Sequence, residues 1–133
     1  MFKILEAGSL DISSAAHNLL DGSSLKGYMK ATYEEIVGCF GNPTTVMGDK
    51  TTVEWDVELR VVYDDKRRRV ENDDDEFSIF ATIYDWKRNS RHAPEGEYEW
   101  HVGGWNKDAV HAVTLAVENY RVLRYANENN PMS

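Results

Sequence analysis

His101 is the residue best placed for chemistry, because it alternates with Glu97 and Glu99 along a stretch of extended character. Side chains two apart on a strand share a face. An imidazole and a carboxylate there, with Asp85 or Lys87 opposite, have the makings of an acid/base pair or a partial metal site. The same pattern is also the ordinary polar surface of a strand, and no nucleophile, ligand cluster or phosphate loop accompanies it. His17, His92 and His111 have no ligand spacing around them. Cys39, beside Phe40, is most simply a small core residue with no base to activate it. The sequence therefore points away from an enzyme and calls for no catalytic residue, metal or cofactor.

A second grouping suits an anion. Gly103 and Gly104 precede an expected helix, and the free N–H groups and dipole at a helix start favour negative charge. Lys107 falls in the first turn, with Lys50 and Lys87 near the ends of neighbouring strands. Together these lysines would hold an anionic nucleotide, with Trp86, Trp100 or Trp105 as a stacking wall. A glycine pair in this position is also what a tight turn requires.

The third grouping is a charged run, in which Asp64, Asp65, Lys66, Arg67, Arg68 and Arg69 lead to Glu71, Asp73, Asp74, Asp75 and Glu76. Such a run resists burial and is expected to form a hairpin tip in solvent. As a functional element it would be a charged finger, with Asp64, Asp65, Arg67, Arg68, Asp73, Asp74 and Asp75 meeting a partner protein.

The elements that position these groups are set by periodicity. Val53, Trp55, Val57, Leu59, Val61 and Tyr63 alternate with Glu54, Asp56, Glu58 and Arg60, the period of a strand buried on one face. From Phe77 to Lys87 the chain is apolar on both sides, which suits a strand covered on both faces. Tyr98, Trp100 and Val102 form a third inward series. Phe2–Glu6 makes a short strand ending at Gly8, a short helix follows through Ala15 to Leu20, and Leu25–Ala31 makes an edge strand with Tyr28 facing in. Thr32 and Glu35 have capping-box spacing, and Tyr33, Ile36, Val37 and Phe40 form one helical stripe closed by Gly41 and Pro43. Gly48 and Asp49 mark a turn before the first long strand. Asn106 can cap a final helix whose stripe is Ala109, Val110, Val113, Ala116, Val117, Tyr120 and Leu123. The expected fold is α+β: an antiparallel meander of about three to five strands, with an amphipathic helix before it and a C-terminal helix packed on it. Residues 1–125 make a single domain and 126–133 a disordered tail.

Composition narrows the function. The chain has 133 residues, enough for one sizeable core. Fifteen basic against 23 acidic residues give a net charge of −8, which disfavours a nucleic-acid backbone as partner and permits a basic protein surface. No apolar run approaches the roughly 18 residues of a membrane span. No signal-peptide pattern opens the chain, and one cysteine cannot form an internal disulfide, so the expected setting is intracellular. Three strands and two helices leave part of a sheet face uncovered, from which a homo-oligomer is expected.

The blocks Phe40-Gly41-Asn42-Pro43, Lys50-Thr51-Thr52-Val53-Glu54-Trp55, Ile83-Tyr84-Asp85-Trp86-Lys87 and Glu99-Trp100-His101-Val102-Gly103-Gly104, with the preceding Thr32–Val37, resemble small accessory, non-virion proteins encoded by tailed bacteriophages. The resemblance covers roughly Gly27 to Val117; the first 25 residues and the charged insertion depart from it. It implies a protein made in the infected cell, in the host cytoplasm, and supplies no catalytic residue. The leading expectation is a non-enzymatic binding protein that inhibits a host or host-defence factor by protein contact. The alternative is a small-ligand binder that sequesters an anionic nucleotide defence signal at Gly103-Gly104.

Overall fold

The computed structural model describes residues 2–10, 23–46, 51–63, 76–86 and 92–128. The expected helix at Ala15–Leu20, the Gly48-Asp49 turn, Lys50, Lys87, the charged run 64–75 and the last five residues lie outside the described residues. The elements are β1 (Phe2–Ser9), β2 (Ser24–Ala31), α1 (Tyr33–Phe40), β3 (Thr45–Val46), β4 (Val53–Tyr63), β5 (Glu76–Tyr84), β6 (Tyr98–Gly104) and α2 (Asp108–Glu128). The fold is α+β, as the patterning predicts.

Strand order is β1-β4-β5-β6-β2, with the two-residue β3 added on β4, and every pairing is antiparallel. The meander is β4-β5-β6. Trp55 opposes Ile83 and Ile83 opposes Val102, so one face carries apolar residues in register. On that face Val53, Trp55, Val57, Leu59, Val61, Ile79, Ala81, Ile83, Trp100 and Val102 are buried beneath the two helices. From α2 the small residues Ala109, Ala112, Val113, Ala116 and Val117 enter the same core. Each fully buried Val, Leu or Ile removes enough apolar surface to contribute roughly 1.5–3 kcal/mol.

The pairing corrects four details of the patterning. β1 runs through Gly8 to Ser9, because Gly8 and Ser9 continue opposite Glu58 and Val57 after a bulge between Ile4 and Glu6. In β2 the side chain facing in is Met29, not Tyr28, because Met29 opposes the buried Trp100 while Tyr28 opposes His101. β5 is covered on one face only: Ile79, Ala81 and Ile83 are buried, whereas Phe80, Thr82 and Tyr84 on the other side remain half-buried. Leu123 continues the stripe of α2 but is 65% exposed.

Two local devices fix α1. Thr32 Oγ1 accepts the Glu35 amide at 3.1 Å, and Glu35 Oε1 accepts the Thr32 amide at 2.9 Å, the reciprocal box expected at this spacing. Gly41 ends the helix at φ 90°, a conformation that costs a side-chain-bearing residue strain. The Trp55 indole then donates to the Gly41 carbonyl at 2.9 Å, tying the helix end to the core.

Glu35 has a second role. Its carboxylate receives a forked pair from Arg121 of α2, Nε to Oε2 and Nη2 to Oε1, while Nη2 also donates to the Lys30 carbonyl at 2.9 Å. One guanidinium thus joins α1, α2 and β2, and it holds the Glu35 carboxyl down at about 2.

Candidate functional site

Side chains of one strand alternate between faces, so the residues between the buried ones lie on the face turned away from the helices. Register then aligns them across strands: Glu54 of β4 opposes Tyr84 of β5, Tyr84 opposes His101 of β6, and His101 opposes Tyr28 of β2. The result is a row of one carboxylate and three rings across four strands. Tyr84 and His101 stack at 5.3 Å between centroids, and Tyr28 meets His101 edge-on at 5.0 Å. Trp86 extends the cluster, 6.0 Å from Tyr84 and 6.4 Å from His101. Contacts of this kind add roughly 0.5–1.5 kcal/mol per aromatic pair beyond area burial.

The cluster is accessible. Tyr28 is 50% and Trp86 40% exposed. Around it carboxylates outnumber cations: Glu99 lies beside His101 on β6 with the exposed Lys30 of β2 opposite it, Glu54 and Glu58 lie on β4, and Glu58 accepts from Ser78 at 2.6 Å. The strand arginine of this face, Arg60, is already paired with Glu6 and Glu76. An aromatic centre within a carboxylate rim is suited to a cationic, flat group, which gains both cation–π and ion-pair attraction.

His101 is embedded in the row instead of being poised for proton transfer. Its Nδ1 is buried and has no hydrogen-bond partner among the described residues. Burial lowers the imidazole below its ordinary range, with Glu99 and Asp85 opposing that shift. Of the carboxylates expected to assist it, Asp85 is fully buried, where its Oδ1 accepts the Thr52 amide at 2.7 Å and the Val53 amide at 3.2 Å. Neither Glu97 nor Glu99 hydrogen-bonds to the imidazole among the described residues. Burial of the Tyr84 ring, with Glu54 and the Tyr28 phenol adding to it, raises its phenol and keeps it protonated.

The expected anion site falls only partly on described residues. Gly103 and Gly104 are the last residues of β6, not the start of a helix. The helix opens at Asp108, four residues after Gly104, where the Asn106 side chain accepts the Asp108 amide at 2.8 Å. Close packing explains the glycines: a Cβ on Gly103 would lie 2.6 Å from Thr82 Oγ1, and one on Gly104 would lie 2.5 Å from the Ala109 Cβ. Trp100 is fully buried with its indole donating to the Ala31 carbonyl at 2.9 Å, so it offers no stacking face. Trp105 is 56% exposed and Lys107 is exposed, but Lys50 and Lys87 lie outside the described residues.

The partner-binding set Asp64, Asp65, Arg67, Arg68, Asp73, Asp74 and Asp75 also lies outside the described residues. It falls in the connection between two strands whose register runs to Val62 opposite Glu76. Cys39 packs half-buried against the core, and burial pushes its thiol up to about 12. Among the described residues no group of three metal-ligating side chains converges, and no helix is long and apolar enough to cross a membrane.

Alternation along single strands places Tyr84 and Trp86 on a common side. It does not show that Tyr28 and Glu54, which lie 30 residues away from Tyr84 or more, complete the row. Comparison with protein-family models, with characterised proteins and with solved structures yields no match.

Proposed function

We propose that this chain is a non-enzymatic binding protein that acts through the helix-free face of its sheet, where it engages a basic polypeptide surface. The observation that carries this reading is the four-strand row Glu54–Tyr84–His101–Tyr28, with Trp86 beside it, exposed at both aromatic ends and rimmed by carboxylates. Tyr and Trp at the centre of a patch with a polar rim are the composition of interface hot spots. The excess of acidic residues over the whole chain favours encounter with a basic partner.

In the setting that the bacteriophage-like blocks suggest, the partner is a host or host-defence protein in the host cytoplasm, inhibited by being covered. The charged run 64–75 is proposed as a second contact, and self-association as a route to presenting several such faces. The test is capture from a host lysate on immobilised wild type, Trp86→Ser and Trp105→Ser chains. A polypeptide retained by wild type and Trp105→Ser but lost from Trp86→Ser supports the reading. Retention by all three, or by none, counts against it.

A further inference from the structure

The helix-covered side of the sheet holds a cavity that the face just described does not use. It opens between the first three turns of α2 and the sheet end where Phe2 of β1 opposes Tyr63 of β4, and its volume is about 520 Å³. Cavities of that size hold small organic molecules.

Its lining divides by chemistry. Phe2, Leu115 and the Tyr63 ring, the last braced by Phe77 at 5.0 Å, supply apolar wall. The polar groups come from α2: Asp108, His111, Thr114 and Glu118, whose spacings of three and four bring them along one flank of the helix. No lysine or arginine is among the described residues that line the space. Neither carboxylate is engaged by a side-chain hydrogen bond or ion pair with another described residue. Asp108 sits in the first turn, where the positive end of the helix dipole already balances it. Glu118 lies about three turns further on, beyond that influence; Arg121, itself forked onto Glu35, feels its charge without bonding to it.

We infer that this cavity binds an organic monocation, an ammonium or guanidinium carried on an apolar body. The body would lie against Phe2 and Leu115, where removing it from water is favourable. The charge would meet Glu118 and Asp108 in charge-assisted hydrogen bonds. The Thr114 hydroxyl and a His111 ring nitrogen add acceptors. The same lining repels carboxylates and phosphates. This site is on the opposite side of the sheet from the aromatic row, so it stands or falls independently of the proposed binding face.

The test is a titration of the full chain followed by amide spectra. Three probes share one apolar body: phenethylamine, 2-phenylethanol and 3-phenylpropionate. Nα-acetyl-argininamide is a fourth, representing the side chain of a polypeptide. The expected result is saturable movement of signals from His111 to Glu118 with the cationic probes, and none with 3-phenylpropionate. Glu118→Gln, an exposed and nearly isosteric change, is expected to weaken cation binding roughly five-fold, the loss of one charge-assisted contact, with unchanged melting. Preference for phenethylamine would place the natural cation among free amines, and preference for the arginine derivative would place it on a partner chain. Equal response to all probes, movement confined to Tyr28 and Trp86, or a Glu118→Gln chain that binds as wild type would overturn the inference.

Discussion

Replacing Glu35 by Gln should cost stability at neutral pH and cost none in strong acid. Gln keeps the shape of the side chain and can still complete the helix cap, so the change removes chiefly the charge that Arg121 grips with two nitrogens. The Glu35 carboxyl falls from an ordinary 4.5 to about 2 in the folded chain, with the Arg121 hydrogen bonds the largest cause. A shift of that size corresponds to roughly 3.4 kcal/mol at ~1.36 kcal/mol per pKa unit. The Arg121 side chain is 40% exposed, however, so solvent screens part of the attraction. About 1–2 kcal/mol is the expected loss, in line with hydrogen bonds to charged groups. Because the folded pKa lies below the unfolded one, this contribution is complete above about pH 4.5 and declines as pH falls through about 2. Urea unfolding of both chains at a series of pH values measures it. The gap between them should be constant from pH 7 to 5, narrow below 4.5 and close near pH 2. A gap of the same size at every pH would mean that packing, not charge, fastens α1 to α2.

Other consequences of the structure are as direct. Gly104→Ala should lower stability by about 1–3 kcal/mol, the usual cost of overpacking, because the new methyl meets the Ala109 Cβ at 2.5 Å; an unchanged thermal midpoint would show that α2 is free to shift. Asp85→Ala should cost about 1–3 kcal/mol in urea unfolding by leaving the buried Thr52 and Val53 amides without their acceptor. Deleting residues 64–75 and joining β4 to β5 by a short turn should leave the far-ultraviolet circular dichroism of the sheet intact and abolish capture of the partner; a deletion chain that still captures it removes the charged run from the account.

The sequence and the fold agree where one element's own pattern is sufficient. Val53 to Val61 announces a half-buried strand, and Thr32 with Glu35 announces the start of α1, because alternation and capping are local. The mistakes arise where a second element decides. Tyr28 and Met29 are equally plausible inward residues until Trp100 is seen opposite Met29. Phe80 and Tyr84 suggest a strand covered on both faces, yet both lie on the helix-free face, where Tyr84 belongs to a row completed by Tyr28 and His101. Gly103 and Gly104 look like the mouth of a helix, whereas the reason for them is the close approach of Thr82 on one side and Ala109 on the other. The fold class is therefore legible in the chain, and the proposed binding face is not, because the face exists only as a register between four strands.

The most direct measurement of that face uses the four indole signals of the native chain. Trp55 and Trp100 are buried, while Trp86, just after β5, and Trp105, just after β6, are exposed. Titrating the captured partner into isotopically labelled protein should shift or broaden the Trp86 indole, together with the His101 and Tyr28 ring signals, and leave Trp105 in place. Movement of Trp105 alone, or of no indole at saturation, would contradict the assignment of binding to the helix-free sheet face.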